Sequence, residues 1–478
     1  MVEPTTVSSA GPPLVVDLDG TLLRTDALWE CLVRLLRHRP WKATLIPLWL
    51  LQGGRAYVKA RLAAETGLQA DGLPLREELV RWLQAERQRG RRIILATAAP
   101  PSVGESVASR TGLFDAVMTS TDVNNLRGRQ KLQRIRSLLG AEPFEYVGNS
   151  RADIPIWSAA VAAHIVGTPR FIGRMRRLFP EGRDFPQPLR WQVLLKVLRP
   201  HQWLKNLLVF VPIVLAHRLL EWQLWEMAVL AFVALSLVAS GLYVFNDLMD
   251  VEADRRHPRK RRRPFASGEL PLWVGVVLTP VLVAAGAIVA WLGLPQRFWL
   301  VLGLYAAASV LYSFWLKMVP LVDVVVLAGL YTVRILAGGW ATGVPLSGWL
   351  LTFAIFLFLS LAFLKRYVEL RTTAEAELPR RGYAVEDEAL VRSFGTASGY
   401  LAVLVFVLYV NSPVVAQLYE QPQWLWLSTP LLIYWVAHLW MQAHRRQMSD
   451  DPLVFVLRDP VSYAVAVGLG LILLLASG

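Results

Sequence analysis

The sequence predicts a protein of two fold classes. The first part is a soluble α/β domain built on a parallel sheet. The remainder is an all-α bundle of about nine membrane-crossing helices. Three observations carry this. Hydrophobic residues make up 54% of the 478 residues and charged residues 18%, where a soluble protein carries about 25% charge. Apolar runs of near-membrane length recur only after residue 190. Before that point, short apolar strands end in carboxylates, hydroxyls and glycines. The composition excludes intrinsic disorder and a single water-soluble core. Cys31 is the single cysteine, so no internal disulfide or Cys-based metal site can form. The net charge of +14 is compatible with nucleic acid, anionic lipid or a phosphorylated substrate.

In the first part, Pro13–Asp26 reads PLVVDLDGTLLRTD, an apolar strand followed by Asp17-x-Asp19-Gly20-Thr21. Two carboxylates two residues apart after a strand can share one loop, where one attacks a phosphoryl group and the other shuttles a proton. A second strand, RIILATA, ends in Thr97, whose hydroxyl can bind phosphate. Lys131 follows the Arg127-Gly128 turn and can neutralise the same phosphate. A third strand ends in Gly148-Asn149-Ser150-Arg151-Ala152-Asp153, an acidic corner suited to a metal. Parallel sheets bind ligands at this carboxyl edge.

In the second part, apolar runs lie near 207–220, 227–245, 270–293, 298–316, 319–341, 347–364, 397–419, 424–442 and 461–476. Several approach the ~20 residues that span a bilayer core. Two are short, so eight spans is the alternative to nine. The opening MVEPTTVSSAGPP lacks the basic flank and apolar core of a signal peptide, so the N-terminal domain is expected in the cytoplasm. On that basis the inward loops carry seventeen Lys/Arg and the outward ones only Arg218 and Arg297, as the positive-inside rule requires. The expected domains are 1–185, a linker and membrane-surface collar at 186–199, and 200–478. The basic residues sit at membrane loops without interleaved aromatics on a soluble face, which argues against a nucleic-acid partner.

The first large inward loop reads VFNDLMDVEADRRHPRKRRRPFASGEL from Val244. Asn246, Asp247, Asp250 and Asp254 stand at helical spacings and are expected on one face. Like charges there repel unless cations join them, and Mg²⁺ carrying a diphosphate is one solution. Seven Lys/Arg follow within Arg255–Arg263. Alone they could be a solvated positive-inside loop; beside the acidic residues they suit phosphate oxygens. Asp323, just inside a span, is costly there and could complete a second metal position. Arg334 is roughly 16 Å deeper on the same helix, in a structural hydrogen-bonding role or a ligand role.

The first part, over about residues 12–170, resembles the haloacid dehalogenase superfamily of phosphatases. The resemblance implies Asp17 as the nucleophile, Asp19 as general acid/base, and Thr97 and Lys131 on the phosphate. It implies Mg²⁺ on Asp17, the Asp19 carbonyl, Asn149 and Asp153, with a helical cap over about 27–90. The family's GDxxxD is GNxxxD here, so Asn149 brings no charge. That leaves two readings, an active phosphatase or a degraded scaffold.

Residues from about 195 onward resemble the UbiA superfamily of intramembrane prenyltransferases through Asn246-Asp247-x-x-Asp250-x-x-x-Asp254. The stretches RPHQWLKN from Arg199, HPRKRRRPFASG from His257, YSFWLK from Tyr312, LKRYVEL from Leu364 and Asp450-Asp451-Pro452 look like one branch, the decaprenyl-phosphate phosphoribosyltransferases. That branch moves phosphoribose from phosphoribosyl pyrophosphate (PRPP) to a polyprenyl phosphate. The resemblance implies the pyrophosphate on Mg²⁺ held by Asp247, Asp250 and Asp254, with Asn246 as a neutral positioner. Lys260 and Arg263 would take phosphates of PRPP. Lys205, Lys317, Lys365 and Arg366 would draw in the lipid phosphate, with Tyr312 and Arg334 positioning substrate and Asp323 catalytic. The expected whole is a multi-pass plasma-membrane enzyme in which the N-terminal domain then removes the 5-phosphate; a homo-oligomer is compatible. The runner-up is an aromatic-substrate UbiA enzyme with a haloacid dehalogenase domain of other or regulatory function.

Overall fold

A computed structural model describes residues 11–120, 126–188, 191–372, 382–448 and 451–477. Asp450 and the opening stretch 1–10 lie outside these residues. The chain forms two compact units, one of residues 1–199 with 243–280 and the other of residues 200–242 with 281–478.

The first unit is built on six parallel strands: β1 Leu14–Val16, β2 Ile93–Ala96, β3 Ala116–Met118, β4 Glu145–Gly148, β5 Ala162–Gly167 and β6 Asp184–Pro186. Their order is β3-β2-β1-β4-β5-β6. Leu14, Val15 and Val16 are wholly buried, as expected of a parallel strand covered on both faces. The chain moves to one side of β1 with β2 and β3 and to the other with β4 to β6. That switch point opens a crevice at the carboxyl ends, where Asp17, Thr97 and Asn149 follow β1, β2 and β4.

After β1 the chain makes one wide turn, Leu18–Leu22, with Leu23 N–H donating to Leu18 O at 2.9 Å. It leaves the sheet at Leu23 and returns at Leu75, where the two residues form an antiparallel bridge. Between them lie helices α1 (Ala27–His38) and α2 (Ile46–Thr66). Asp26 caps α1 by accepting from Leu28 N–H at 2.8 Å. The cap expected over 27–90 is therefore shorter. Helix Glu77–Gln88 follows the bridge and forms the crossover into β2. The same unit includes the end of a long helix, α3 (Trp222–Met249), and a short one, α4 (Val251–Arg256).

Seven helices among the described residues are long and apolar enough to span a membrane, starting with α3. Nine spans are not found. The run 207–220 splits into a 3₁₀ segment, Pro200–Phe210, and a short helix, Val211–Leu215, with Pro212 in its first turn. The run 424–442 opens with 3₁₀ turns at Pro422–Leu427, leaving a 17-residue helix, Ser428–His444. At 1.5 Å per residue this covers about 26 Å, short of the ~30 Å hydrocarbon core. Hydropathy registers neither proline nor the change of helix type.

In the second unit, small residues let backbones approach where apolarity alone gives no driving force between helices in lipid. A Cβ on Gly338 would lie 2.1 Å from the Val209 carbonyl oxygen, and one on Gly395 would lie 2.4 Å from the Trp440 ring. Ser360 Oγ donates to Gly395 O at 2.7 Å and accepts from Trp440 Nε1 at 3.2 Å. Gly338→Val should therefore lower stability by about 1–3 kcal/mol, read as a reduced unfolding temperature in detergent.

Candidate active sites

Three polar constellations stand out, the first at the sheet's carboxyl edge. Asp17 is 8% exposed. Its Oδ1 accepts from Lys131 Nζ at 2.6 Å and its Oδ2 from Thr21 Oγ1 at 3.2 Å. Lys131 also donates to Tyr146 Oη at 3.2 Å, and Tyr146 donates to Asp153 Oδ1 at 3.1 Å. Asp153 Oδ2 accepts from the Asn149 and Ser150 amides and from Ser150 Oγ. Asp17, Lys131 and Asp153 are thus gathered, with Tyr146 as a link that the motif reading missed. Thr97 is buried at the end of β2, its Oγ1 accepting from Ala99 N–H at 2.9 Å. Gly20 has φ +70°, and a Cβ there would lie 2.1 Å from Asn149 Nδ2. Glycine is needed where the loop after β1 passes Asn149.

Asp19 turns the other way. Its Oδ1 accepts from Ala27 N–H at 2.9 Å, and it lines a crevice with Cys31, Lys59 and Pro100. Burial, then Asp26, push its carboxyl up to about 8. Burial and Asp17 raise Asp153, against the pull of Lys131. Lys131 is held above its ordinary value despite burial, by Asp17 and Asp153. Buried Asp17 and Asp153, with the partly exposed Asp19 and Asp26, outnumber the two lysines Lys131 and Lys59, so this region is short of positive charge. All-oxygen donors with surplus anionic charge fit Mg²⁺.

The second constellation is the acidic loop, also in the first unit. The single helical face expected for its three aspartates is corrected. α3 stops at Met249, Asp250 takes a non-helical φ −96°, ψ 6°, and α4 starts at Val251. Among the described residues no three His, Cys, Asp or Glu side chains gather at metal-binding spacing. Guanidiniums hold the carboxylates instead. Arg199 Nη2 contacts both Asp247 oxygens at 2.5 and 2.7 Å. Arg263 Nη1 bridges Asp247 at 2.9 Å and Asp254 at 2.7 Å. Asp250 faces Arg37 of α1 at 3.6 Å. Burial pushes the Asp254 carboxyl up, opposed by Arg263 and assisted by Asp247. Lys260 is exposed and acts on Asp254 only electrostatically. Asn246 contributes its carbonyl to the Asp250 amide at 2.9 Å. Arg199, quoted in the sequence without a role, is a main partner of Asp247.

The third set lies in the second unit. Lys205 Nζ donates to Asp451 Oδ2 at 2.6 Å. Despite burial, Lys205 and Lys365 hold the Asp451 carboxyl below its ordinary range. These two lysines and Asp451 leave a net positive charge. Asp323 and Arg366, expected as a metal position and a phosphate cation, pair with each other. Arg366 Nε donates to Asp323 Oδ2 at 2.6 Å, both side chains being 0% exposed. Tyr383 donates to Asp323 Oδ1 at 2.7 Å, and Tyr312 accepts from Arg366 at 3.4 Å. Arg334 donates to Asn206 Oδ1 at 2.8 Å and to Tyr305 Oη at 3.1 Å. Lys317 sits in a short 3₁₀ turn, Leu316–Met318, half-buried.

A parallel sheet with acidic residues at its carboxyl edge and a set of long apolar helices are the two parts that match known families. Residues 207–473 match the UbiA prenyltransferase family and residues 14–158 the haloacid dehalogenase-like hydrolases. The chain belongs to the UbiA prenyltransferase family and carries a haloacid dehalogenase-like domain at its N-terminus. It is 36% identical over 461 residues to the uncharacterized protein y4nM of Sinorhizobium fredii, covering 95% of this chain and 89% of that one. It is 37% identical over 298 residues to the nodulation protein NoeC of Azorhizobium caulinodans, covering 60% of this chain and 94% of that one. It is 38% identical over 182 residues to a decaprenyl-phosphate phosphoribosyltransferase of Mycolicibacterium smegmatis, covering 37% of this chain and 57% of that protein.

Arg366 also pairs with Glu369, which is partly exposed, so loss of Asp323 leaves it one carboxylate partner. Asp323→Asn should cost about 1–3 kcal/mol of stability. Asp323→Leu with Arg366→Met and Glu369→Gln should recover most of that loss. Unfolding in detergent micelles checks both.

Proposed function

We propose that the protein transfers 5-phosphoribose from PRPP to a polyprenyl phosphate and then removes the 5-phosphate from the lipid product. The observation that carries this is the co-occurrence, in one compact unit, of the Asp17–Lys131 pair and the Asp247–Arg263–Asp254 bridge. The first suits phosphoryl transfer and the second suits a diphosphate. The named phosphoribosyltransferase relative supports the substrate class.

In the transfer, a phosphate oxygen of the lipid bonds to ribose C1 as the C1–O bond to pyrophosphate breaks. The acceptor is already anionic, so the reaction needs no strong base. Arg199 and Arg263 receive the leaving pyrophosphate beside Asp247 and Asp254. Asp247, Asp250 and Asp254 do not gather at metal-binding spacing, so neutralisation of the diphosphate falls to the Arg199 and Arg263 guanidiniums. Lys205 and Lys365 take the lipid phosphate, leaving Asp451 to hold Lys205 in place. Rate comes from positioning and from stabilising the leaving group.

In the second step, Asp17 attacks the 5-phosphorus and the P–O5 bond breaks. Asp19, kept protonated by its burial, passes its proton to O5 and then takes one from the hydrolysing water. Lys131 and Thr97 hold the phosphoryl oxygens. Asp17, the Asp19 carbonyl, Asn149 and Asp153 would hold Mg²⁺, which supplies electrostatic shielding between nucleophile and phosphate. Both active regions face the cytoplasm of a plasma-membrane protein, consistent with the inward surplus of Lys/Arg.

Purified protein incubated with PRPP, Mg²⁺ and a polyprenyl phosphate should yield a lipid-linked ribose without 5-phosphate. Asp17→Asn should stop at the 5-phosphorylated lipid. Persistent 5-phosphate with the wild type overturns the phosphatase half and favours a scaffold role, with Asn149 as its mark. Label from PRPP absent from lipid overturns the transferase half and favours an aromatic acceptor. Lys365→Met should raise the KM for the lipid phosphate about tenfold to a hundredfold, the worth of one hydrogen bond to a charged group.

A further inference from the structure

Helix α1 belongs to the cap of the phosphatase-like domain, yet one of its faces is committed elsewhere. Glu30, Arg34 and Arg37 follow one another at spacings of four and three, which aligns them on one side of the helix. All three meet the acidic loop. Glu30 accepts a two-pronged contact from Arg255, at 3.0 Å from Nη1 and 2.7 Å from Nη2. The side chains are 3% and 6% exposed. Arg34 reaches Glu252 at 3.4 Å. Arg37 reaches Asp250 at 3.6 Å.

The lock continues on both sides. Thr25 Oγ1 donates to Glu30 at 2.6 Å, and Thr25 O accepts from Gly20 N–H at 3.0 Å. Arg255 Nε donates to Ala266 O at 3.2 Å, tying α4 to the segment that follows Arg263. That segment ends at Gly268, whose φ is +72° and where a Cβ would lie 2.6 Å from Arg24 Cβ. Two separate anchors thus seat the acidic loop on the stalk and first helix of the N-terminal domain. Asp254 is the chain neighbour of Arg255, so the first anchor fixes the residue that shares Arg263 with Asp247.

We propose that α1 is a positioning element of the transferase: Glu30, through Arg255, and Arg37, through Asp250, hold the acidic loop in the form that receives PRPP. The N-terminal domain then serves the first reaction as well as the second. This rests on the reading of Asp247, Asp250 and Asp254 as the diphosphate loop. Neither Glu30 nor Arg37 touches substrate, so their removal acts on binding more than on turnover.

The test uses the full chain in detergent or nanodiscs with two readouts. One is the initial rate of label transfer from PRPP to lipid. The other is amide hydrogen exchange over 250–263. Glu30→Gln and the less buried Arg37→Gln should each raise the KM for PRPP about tenfold, as loss of a partly or fully buried charge partner does, with kcat within about twofold. Amides of α4 should exchange faster in both. The double variant Glu30→Arg with Arg255→Glu should bring both readouts back toward wild type. Glu65→Gln removes an ion pair between Glu65 and Lys42 inside the cap and should change neither. Wild-type KM and wild-type exchange in Glu30→Gln and Arg37→Gln overturn the proposal. Should the wild type place no label from PRPP in lipid, the functional reading fails, and exchange over 250–263 alone decides whether α1 holds the loop.

Discussion

A carboxylate taken out of water must find a cation or give up its charge, and much of this molecule is arranged around that requirement. Asp17 lies against Lys131, Asp247 and Asp254 against Arg199 and Arg263, Glu30 against Arg255, and Asp323 against Arg366. The pairs differ in what surrounds them. Asp323 and Arg366 are sealed from solvent, with both Asp323 oxygens bonded. Arg199 and Arg263 are 18% and 28% exposed on the side chain, so a phosphate can reach them. The Asp17 pocket carries more carboxylates than cations, and Asp19 answers by holding its proton.

The division of the chain follows these contacts more than the order of the sequence. The acidic loop lies in one compact unit with the sheet domain. Its anchors, the Glu30–Arg255 pair and the close pass of Gly268 at Arg24, come from the stalk and first helix of the inserted cap. A shared loop adds a mechanical link, because the residues beside Asp254 and the residues beside Asp17 are joined through Thr25, Glu30 and Arg255.

Much of the architecture was legible in the residues. Apolar strands ending in Asp17, Thr97 and Gly148 were enough to place one carboxyl edge, because parallel strands put their ends together. Lys131 could be chosen by charge and turn context, and it reaches Asp17 across 114 positions. What escaped depended on partners distant in sequence. Tyr146 reads as an ordinary strand residue, and nothing local marks Glu30 as the counter-ion of Arg255. The acceptor of Arg334 is Asn206, 128 positions away. The helical spacing of Asp247, Asp250 and Asp254 misled because periodicity assumes an unbroken helix, and this one breaks at Asp250. The count of spans differs for a related reason, since hydropathy does not register the 3₁₀ turns at 200–210 and 422–427 that shorten two of the apolar runs.

The most direct measurement is a structure of the full chain with Mg²⁺ and pyrophosphate. The account predicts pyrophosphate on the Arg199 and Arg263 guanidiniums beside Asp247 and Asp254. Pyrophosphate bound away from these residues, or no binding in the presence of metal, would contradict it.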